Sequence, residues 1–235
     1  TWAGTKRVVA VGDHGVVLIS DDAGKHFRQA RAVPVSSLLT AVSFADAEHG
    51  WAVGQSGTIL VTVDGGETWR LQRFVENEDR PLFAVHFFDA RHGVAVGLWS
   101  LVLTTSDGGS TWTEQQISAP AGARRADLNL LSLFSAGRII YATAERGQVL
   151  RSDDGGLTWR YLDTGYQGSL WTGVVLADGS LLVGGQRGTL LHGSADGTNW
   201  RRIALDTRSS ITAITTVQHG VTVVGLDGLL VRGDV

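Results

Sequence analysis

The residues that could do chemistry in this sequence recur along the chain instead of converging on one place. The pattern Ser/Thr-x-Asp-x-Gly-x-Thr-Trp appears as Thr62, Asp64, Gly66, Thr68, Trp69, as Thr105, Asp107, Gly109, Thr111, Trp112, and as Ser152, Asp154, Gly156, Thr158, Trp159. An earlier copy has Ser20, Asp22 and Gly24, with His26 and Phe27 in the last two places; a degraded later copy keeps Gly197 and Trp200, with Ala195 in the Asp place. Carboxylates at this spacing suggest calcium, but each turn offers one or two of them where a calcium site needs six or more oxygens. They suit a turn better. A short carboxylate and a neighbouring hydroxyl can accept backbone N–H groups across their own loop, and the Trp ring can bury itself beneath. Asp22, Asp64, Asp107 and Asp154, with Trp69, Trp112, Trp159 and Trp200, are therefore read as structural. No catalytic residue, metal or cofactor is assigned.

The histidines follow the same logic. His49, His92 and His219 each precede a Gly at the start of a strand, a recurrence that spreads them over separate repeats. A metal needs its ligands about 2 Å away, so these are read as turn residues. His86 aligns with Ser43, Ser132 and Thr215 and reads as a hydrogen-bonded interior residue. The Gly-rich turns lack the Lys-Ser/Thr and following helix of a phosphate loop.

Composition narrows the classes further. Absence of Cys excludes disulfides and thiolate chemistry. A net charge of −3 without a long basic run makes nucleic acid a poor partner. No apolar run reaches the 18 residues of a membrane-spanning helix. The chain has no Met and begins Thr1-Trp2, as a trimmed product or a secreted protein freed of its signal would.

The elements that carry these motifs form a repeat. Gly12, Gly54, Gly97, Ala144, Gly185 and Gly225 occupy one motif position, at separations of 42, 43, 47, 41 and 40 residues. That period suits one four-stranded propeller blade. In residues 39–72 the strands fall at Leu39 to Phe44, Trp51 to Gly54, Thr58 to Thr62 and Trp69 to Gln72, joined by Gly-containing turns. A small-residue column, Ala41, Ala84, Gly173 and Ala213, runs beside an apolar one, Val42, Val85, Leu131, Val174 and Ile214. The expected fold is all-β: a single propeller domain over 1–235, six blades of four antiparallel strands, with seven blades the alternative. The approximate repeats are 1–38, 39–81, 82–127, 128–168, 169–210 and 211–235. The first repeat is short of its innermost strand and the last supplies three strands, which a segment upstream of Thr1 could complete.

The turn pattern is the Asp-box, or bacterial neuraminidase repeat. Together with Leu39-Thr40-Ala41-Val42-Ser43-Phe44, His49-Gly50-Trp51-Ala52-Val53-Gly54 and their counterparts at 83–87 and 92–97, it makes the whole chain resemble the photosystem II stability/assembly factor family and its bacterial relatives. The resemblance implies an exported propeller that binds a membrane-protein client without catalysis. A photosystem client is not implied, because many relatives belong to non-photosynthetic organisms. Asp-boxes also occur in sialidases and other glycoside hydrolases, so a glycosidase or glycan binder is the alternative. Against it, the sialidase-like Arg-Ile-Pro segment is absent, and Tyr141, four residues before Glu145, is the one tyrosine suitably placed.

In such a propeller the turns between second and third strands share a face with the inter-blade connectors, and variable loops on a rigid scaffold are where binding concentrates. Trp99 puts a large aromatic at one turn tip, with packing back onto its own blade as the competing reading. Arg146 and Arg187 take equivalent tips in successive blades, and Arg124 and Arg125 lie in the longest connector. Aromatics and arginines are enriched at interface hot spots. Trp99, Arg124, Arg125, Arg146 and Arg187 are the expected protein-binding residues. The expected partner is a protein client of the membrane-protein-complex kind that the family resemblance implies, bound by a monomer outside the cytoplasm.

Overall fold

The structure is a computed structural model that describes residues 1–218 and 220–233; His219, whose turn role was expected from the repeat, lies outside them. The described residues form six antiparallel sheets, five of four strands and a sixth of three, in the β-propeller fold. The chain divides into two compact units, Thr1–Gln116 and a second beginning at Ile117.

The first unit holds three blades. Their strands are Trp2–Ala3, Arg7–Val11, Val17–Ser20 and Arg28–Gln29; Leu39–Phe44, Gly50–Gly54, Ile59–Thr62 and Arg70–Arg73; and Leu82–Phe87, Gly93–Gly97, Val102–Thr105 and Thr113–Glu114. The second unit holds the remaining three. These are Leu130–Ala136, Ile139–Ala144, Gln148–Ser152 and Arg160–Asp163; Leu170–Val175, Leu181–Gly185, Leu190–Gly193 and Trp200–Ile203; and Ile211–Val217, Gly220–Gly225 and Leu230–Gly233. Each sheet is a meander in sequence order, as short strands joined by tight turns require. Helical geometry among the described residues is confined to single 3-10 turns between second and third strands.

The cores lie between successive blades. In the first unit, Trp51 of blade two stacks on Phe87 of blade three, with ring centroids 3.4 Å apart. In the second, Phe134 stacks on Tyr141 at 5.0 Å and fills the space that a Cβ on Gly173 would need.

Register corrects two of the expected columns. In blades two to six the first strand opens on a buried anchor, Leu39, Leu82, Leu130, Leu170 or Ile211, at most 1% exposed. The next residue bulges out of the ladder, so pairing resumes one place later. Counted from the anchors, Thr172, not Gly173, is the counterpart of Ala41, and Gly173 and Leu133, not Val174 and Leu131, are those of Val42. Ser132 joins the Ala41 column, which leaves Phe134 as the blade-four counterpart of His86. The bulge is common to blades two to six and displaces no column; the columns differ because Leu128 and Trp171 are as apolar in the sequence as the true anchors, Leu130 and Leu170.

Candidate binding surface

Each of the first five blades has two kinds of turn around its third strand, and their chemistry differs. The Asp-box turn, leading to the fourth strand, spends its polar groups on itself. In blade two the Thr62 hydroxyl donates to Asp64 Oδ1 at 2.8 Å and accepts the Gly66 N–H at 2.9 Å. Asp64 also accepts the Thr68 N–H at 2.9 Å and the Thr68 hydroxyl at 2.6 Å, and the Trp69 indole donates to the Gly66 carbonyl at 2.9 Å. The same net recurs around Asp107 and Asp154. In the first blade His26 replaces the Thr, and its Nδ1 lies 2.5 Å from Asp22. The N–H of Thr111, then the hydroxyls of Thr111 and Thr105, hold the Asp107 carboxyl down at about 2.

Two details depart from expectation. The fifth box is not missing its Asp: the Ser194 hydroxyl donates to Asp196 at 2.5 Å, and Asp196 accepts the N–H and hydroxyl of Thr198. One residue is deleted between Asp and Trp, so alignment from Trp200 lands on Ala195. The Ser-x-Asp spacing read from Ser194 would have found Asp196. In the third box, Trp112 keeps its ring edge-on to Phe87 at 5.8 Å, but its buried Nε1 has no hydrogen-bond partner among the described residues.

The repeated histidines also serve turns. The N–H and ring nitrogen of His49 face the Asp46 carboxylate, and those of His92 face Asp89 in the same way. His86 is half-buried, edge-on to Phe88 at 4.9 Å, and burial lowers its pKa. Among the described residues no three His, Cys, Asp or Glu side chains stand together as a metal site, and no helix is long and apolar enough to cross a membrane.

The glycosidase pair does not form. Tyr141 is 3% exposed, stacked in the core beneath the Arg151 guanidinium, with burial raising its pKa. Glu145 lies beyond the end of the same strand, roughly 13 Å further on at the rise of an extended chain, and its carboxylate is bound by the Asn129 amide at 3.0 Å.

The turn at the other end of the third strand leaves its tip side chain outside its own backbone bonds. His14, Ser56, Trp99, Arg146, Arg187 and Asp227 take that tip with φ between 52° and 56°, in the left-handed region. The residue before the turn is held by a close backbone approach: the Gln55 N–H donates to the Leu38 carbonyl at 3.0 Å, and a Cβ on Gly54 would collide with that carbonyl. Backbone geometry is thus constant while the tip varies from Ser to Trp. Trp99 is 54% exposed. Its neighbour Ser100 is also left-handed, where the five other blades use Gly15, Gly57, Gly147, Gly188 and Gly228. Two such residues cost about 1–2 kcal/mol each.

In the second unit the expected arginines fall in separate places, Arg125 with Arg146, and Arg187 in a cleft. Arg125 and Arg146 approach the single carboxylate of Asp127, each at 3.9 Å. One connector then links the turns of blades four and five. The Gly147 N–H donates to the Gly168 carbonyl at 2.7 Å, the Thr164 hydroxyl donates to the Gly147 carbonyl at 2.7 Å, and the Tyr166 hydroxyl donates to the Gln186 carbonyl at 3.1 Å. Beside it opens a cleft of about 820 Å³ that contains Arg187, Arg202, Arg208, Tyr166 and Gln167 and no acidic side chain. None of the three arginines makes an ion pair among the described residues. Arg202 and Arg208 were not foreseen; Arg202 sits on the outer strand just past the fifth box, where the Arg201-Arg202 doublet was the available signal. Arg124 is exposed in the long connector, outside the cleft lining.

Asp-box blades with plain antiparallel meanders define an Asp-box β-propeller. The chain belongs to the photosynthesis system II assembly factor YCF48 family, whose model matches residues 29–112 and again 75–168, together more than half of the sequence. No curated protein matches it. Among solved structures, YCF48 bound to a D1 peptide is similar at 18% identity and TM-score 0.76, over 96% of this chain and 74% of that one. YCF48 from Cyanidioschyzon merolae is similar at 15% identity and TM-score 0.57, over 99% and 94%. An ancestral GH74 enzyme is similar at 15% identity and TM-score 0.72, over 97% of this chain and 36% of that one. At these identities the likenesses carry fold alone.

Proposed function

We propose that this chain is a non-catalytic scaffold that holds a protein client, and that an acidic client segment docks at the arginine cleft of the second unit. The cleft carries the reading: three guanidiniums without an ion-pair partner among the described residues share one concave surface with Tyr166, Gln167 and Gln186. Guanidinium groups bind carboxylates in a planar, two-bond geometry that also sets orientation. Arg125 and Arg146, sharing one Asp127 between them, extend the positive surface. Family membership supports the assembly role, and a YCF48 protein has been captured with a D1 peptide. Turnover is not part of the reading, since Tyr141 and Glu145 stand apart. The client is read as membrane-associated and the location as extracytoplasmic, both on the family resemblance. The test is a crosslinking pull-down from the native membrane fraction with wild type and Arg187→Glu/Arg202→Glu. Loss of specific partners from the variant is expected; capture of the same proteins at equal yield would refute the cleft.

A further inference from the structure

The connector between blades two and three, residues 74–81, belongs to the first unit and has chemistry opposite to the arginine cleft. Phe74 and Val75 stand out from it, 61% and 43% exposed. Large apolar side chains side by side in solvent mark a contact surface when the loop that carries them is held in place. This loop is held at both ends. Arg73, just before it, donates to the Gly57 carbonyl at 2.7 Å in the turn of blade two. Near the far end, Arg80 grips Glu78 through Nε at 2.9 Å and NH2 at 2.8 Å, and also holds Glu114 on the outer strand of blade three at 2.9 Å. The Pro81 carbonyl accepts the Leu98 N–H at 3.0 Å, which ties the connector to the turn that bears Trp99. Within the loop the Glu78 N–H donates to the Val75 carbonyl at 3.1 Å and Asn77 takes a left-handed φ of 64°.

The acids of the loop divide into two kinds. Glu78 is consumed internally, and the Arg80 hydrogen bonds lower its pKa. Glu76 and Asp79 are exposed and make no ion pair among the described residues. The loop therefore presents two apolar side chains beside two carboxylates without counter-charges, on a backbone whose ordering cost is already met in the free protein.

We infer that this connector is a second docking site, distinct from the arginine cleft, and that it takes a basic, apolar segment of a partner protein. Charge complementarity chooses the occupant. Two carboxylates beside the apolar pair repel anionic lipid headgroups and the phosphates of nucleic acid. Lys or Arg next to Leu, Ile or Phe in a peptide would meet both parts of the loop. The site goes beyond the reading of the cleft, and its test uses a probe of opposite charge.

The probe is a fluorescein-labelled 14-residue peptide alternating Leu with Lys, followed by anisotropy at low salt, with a Leu/Glu peptide as its mirror. Wild type is expected to bind the Leu/Lys peptide. Phe74→Ser/Val75→Ser and Glu76→Lys/Asp79→Lys should each weaken that binding at least tenfold. Glu76→Asp/Asp79→Glu, which keeps both charges, should retain it, and Arg187→Glu/Arg202→Glu should not weaken it. Circular dichroism melts confirm that each variant is folded. Unchanged affinity in either loop variant, or equal binding of the Leu/Glu peptide that the loop substitutions abolish, would overturn the inference. Failure of the arginine cleft would leave these outcomes untouched.

Discussion

In the first five blades the two turns around the third strand use the same short length of chain to opposite ends. The Asp-box turn closes on itself: hydroxyl, carboxylate, two N–H groups and an indole satisfy one another, and little is left for a partner. The turn at the strand's other end rests mainly on backbone bonds and on a left-handed tip, with glycine at the close approach in Gly54, Gly97, Gly185 and Gly225, so the tip side chain can vary from blade to blade. A repeat protein separates scaffold from recognition in this way: what must be constant is paid in side chains at one end and in backbone at the other.

That contrast predicts a graded response to mutation. The largest effect belongs to Trp69→Ala. The ring is 3% exposed, edge-on to Phe44 at 6.2 Å, and its removal should cost about 3–5 kcal/mol in urea unfolding. Asp154→Ala should cost about 1–3 kcal/mol, because it strands the Ser152 hydroxyl and the Leu157 and Thr158 N–H groups. At the display end, Arg187→Ala should move stability by no more than about 0.5 kcal/mol, as an exposed residue without an ion pair. A large loss there would make the tip arginine structural and break the contrast.

Acid should act on the first kind of turn. The carboxyls of Asp107 and Asp196 are lowered to about 2 in the fold, Asp107 first by the Thr111 N–H and Asp196 first by the Ser194 hydroxyl. Unfolded Asp titrates near ~4. As pH falls, the unfolded chain takes up protons first, so these contributions are whole above about pH 5 and lost as pH falls towards 2. Thermal midpoints by circular dichroism should drop through that window, and Asp107→Asn/Asp196→Asn should show a shallower drop.

Much of the fold was legible because its signals are local. Glycines at fixed offsets, strand-length apolar runs and the Asp-box spacing place turns without reference to the rest of the chain, and the first strand of blade two, Leu39–Phe44, falls where the pattern put it. What escaped needed pairing information. In blades four and five the apolar Leu128 and Trp171 stand beside the true anchors Leu130 and Leu170, so Leu133 and Thr172 were missed in favour of Leu131 and Gly173, and the one-residue deletion in the fifth box hid Asp196. The binding surface was half legible. Arg146 and Arg187 were found as equivalents within the repeat, whereas Arg202 and Arg208 join the cleft from an outer strand and a connector. The loop at Phe74 and Val75 depends on Arg73 and Arg80 clamping distant carbonyl and carboxylate groups, which no spacing rule reports.

Binding of anionic protein segments by the second unit is proposed to run through the arginine cleft. Its most direct test is an anisotropy titration of a labelled Asp/Glu-rich peptide against wild type and Arg187→Glu/Arg202→Glu at two salt concentrations. Binding by the variant should be at least tenfold weaker, and wild-type binding should fall as salt screens the charges. Equal affinities for the two proteins, or wild-type binding indifferent to salt, would contradict it.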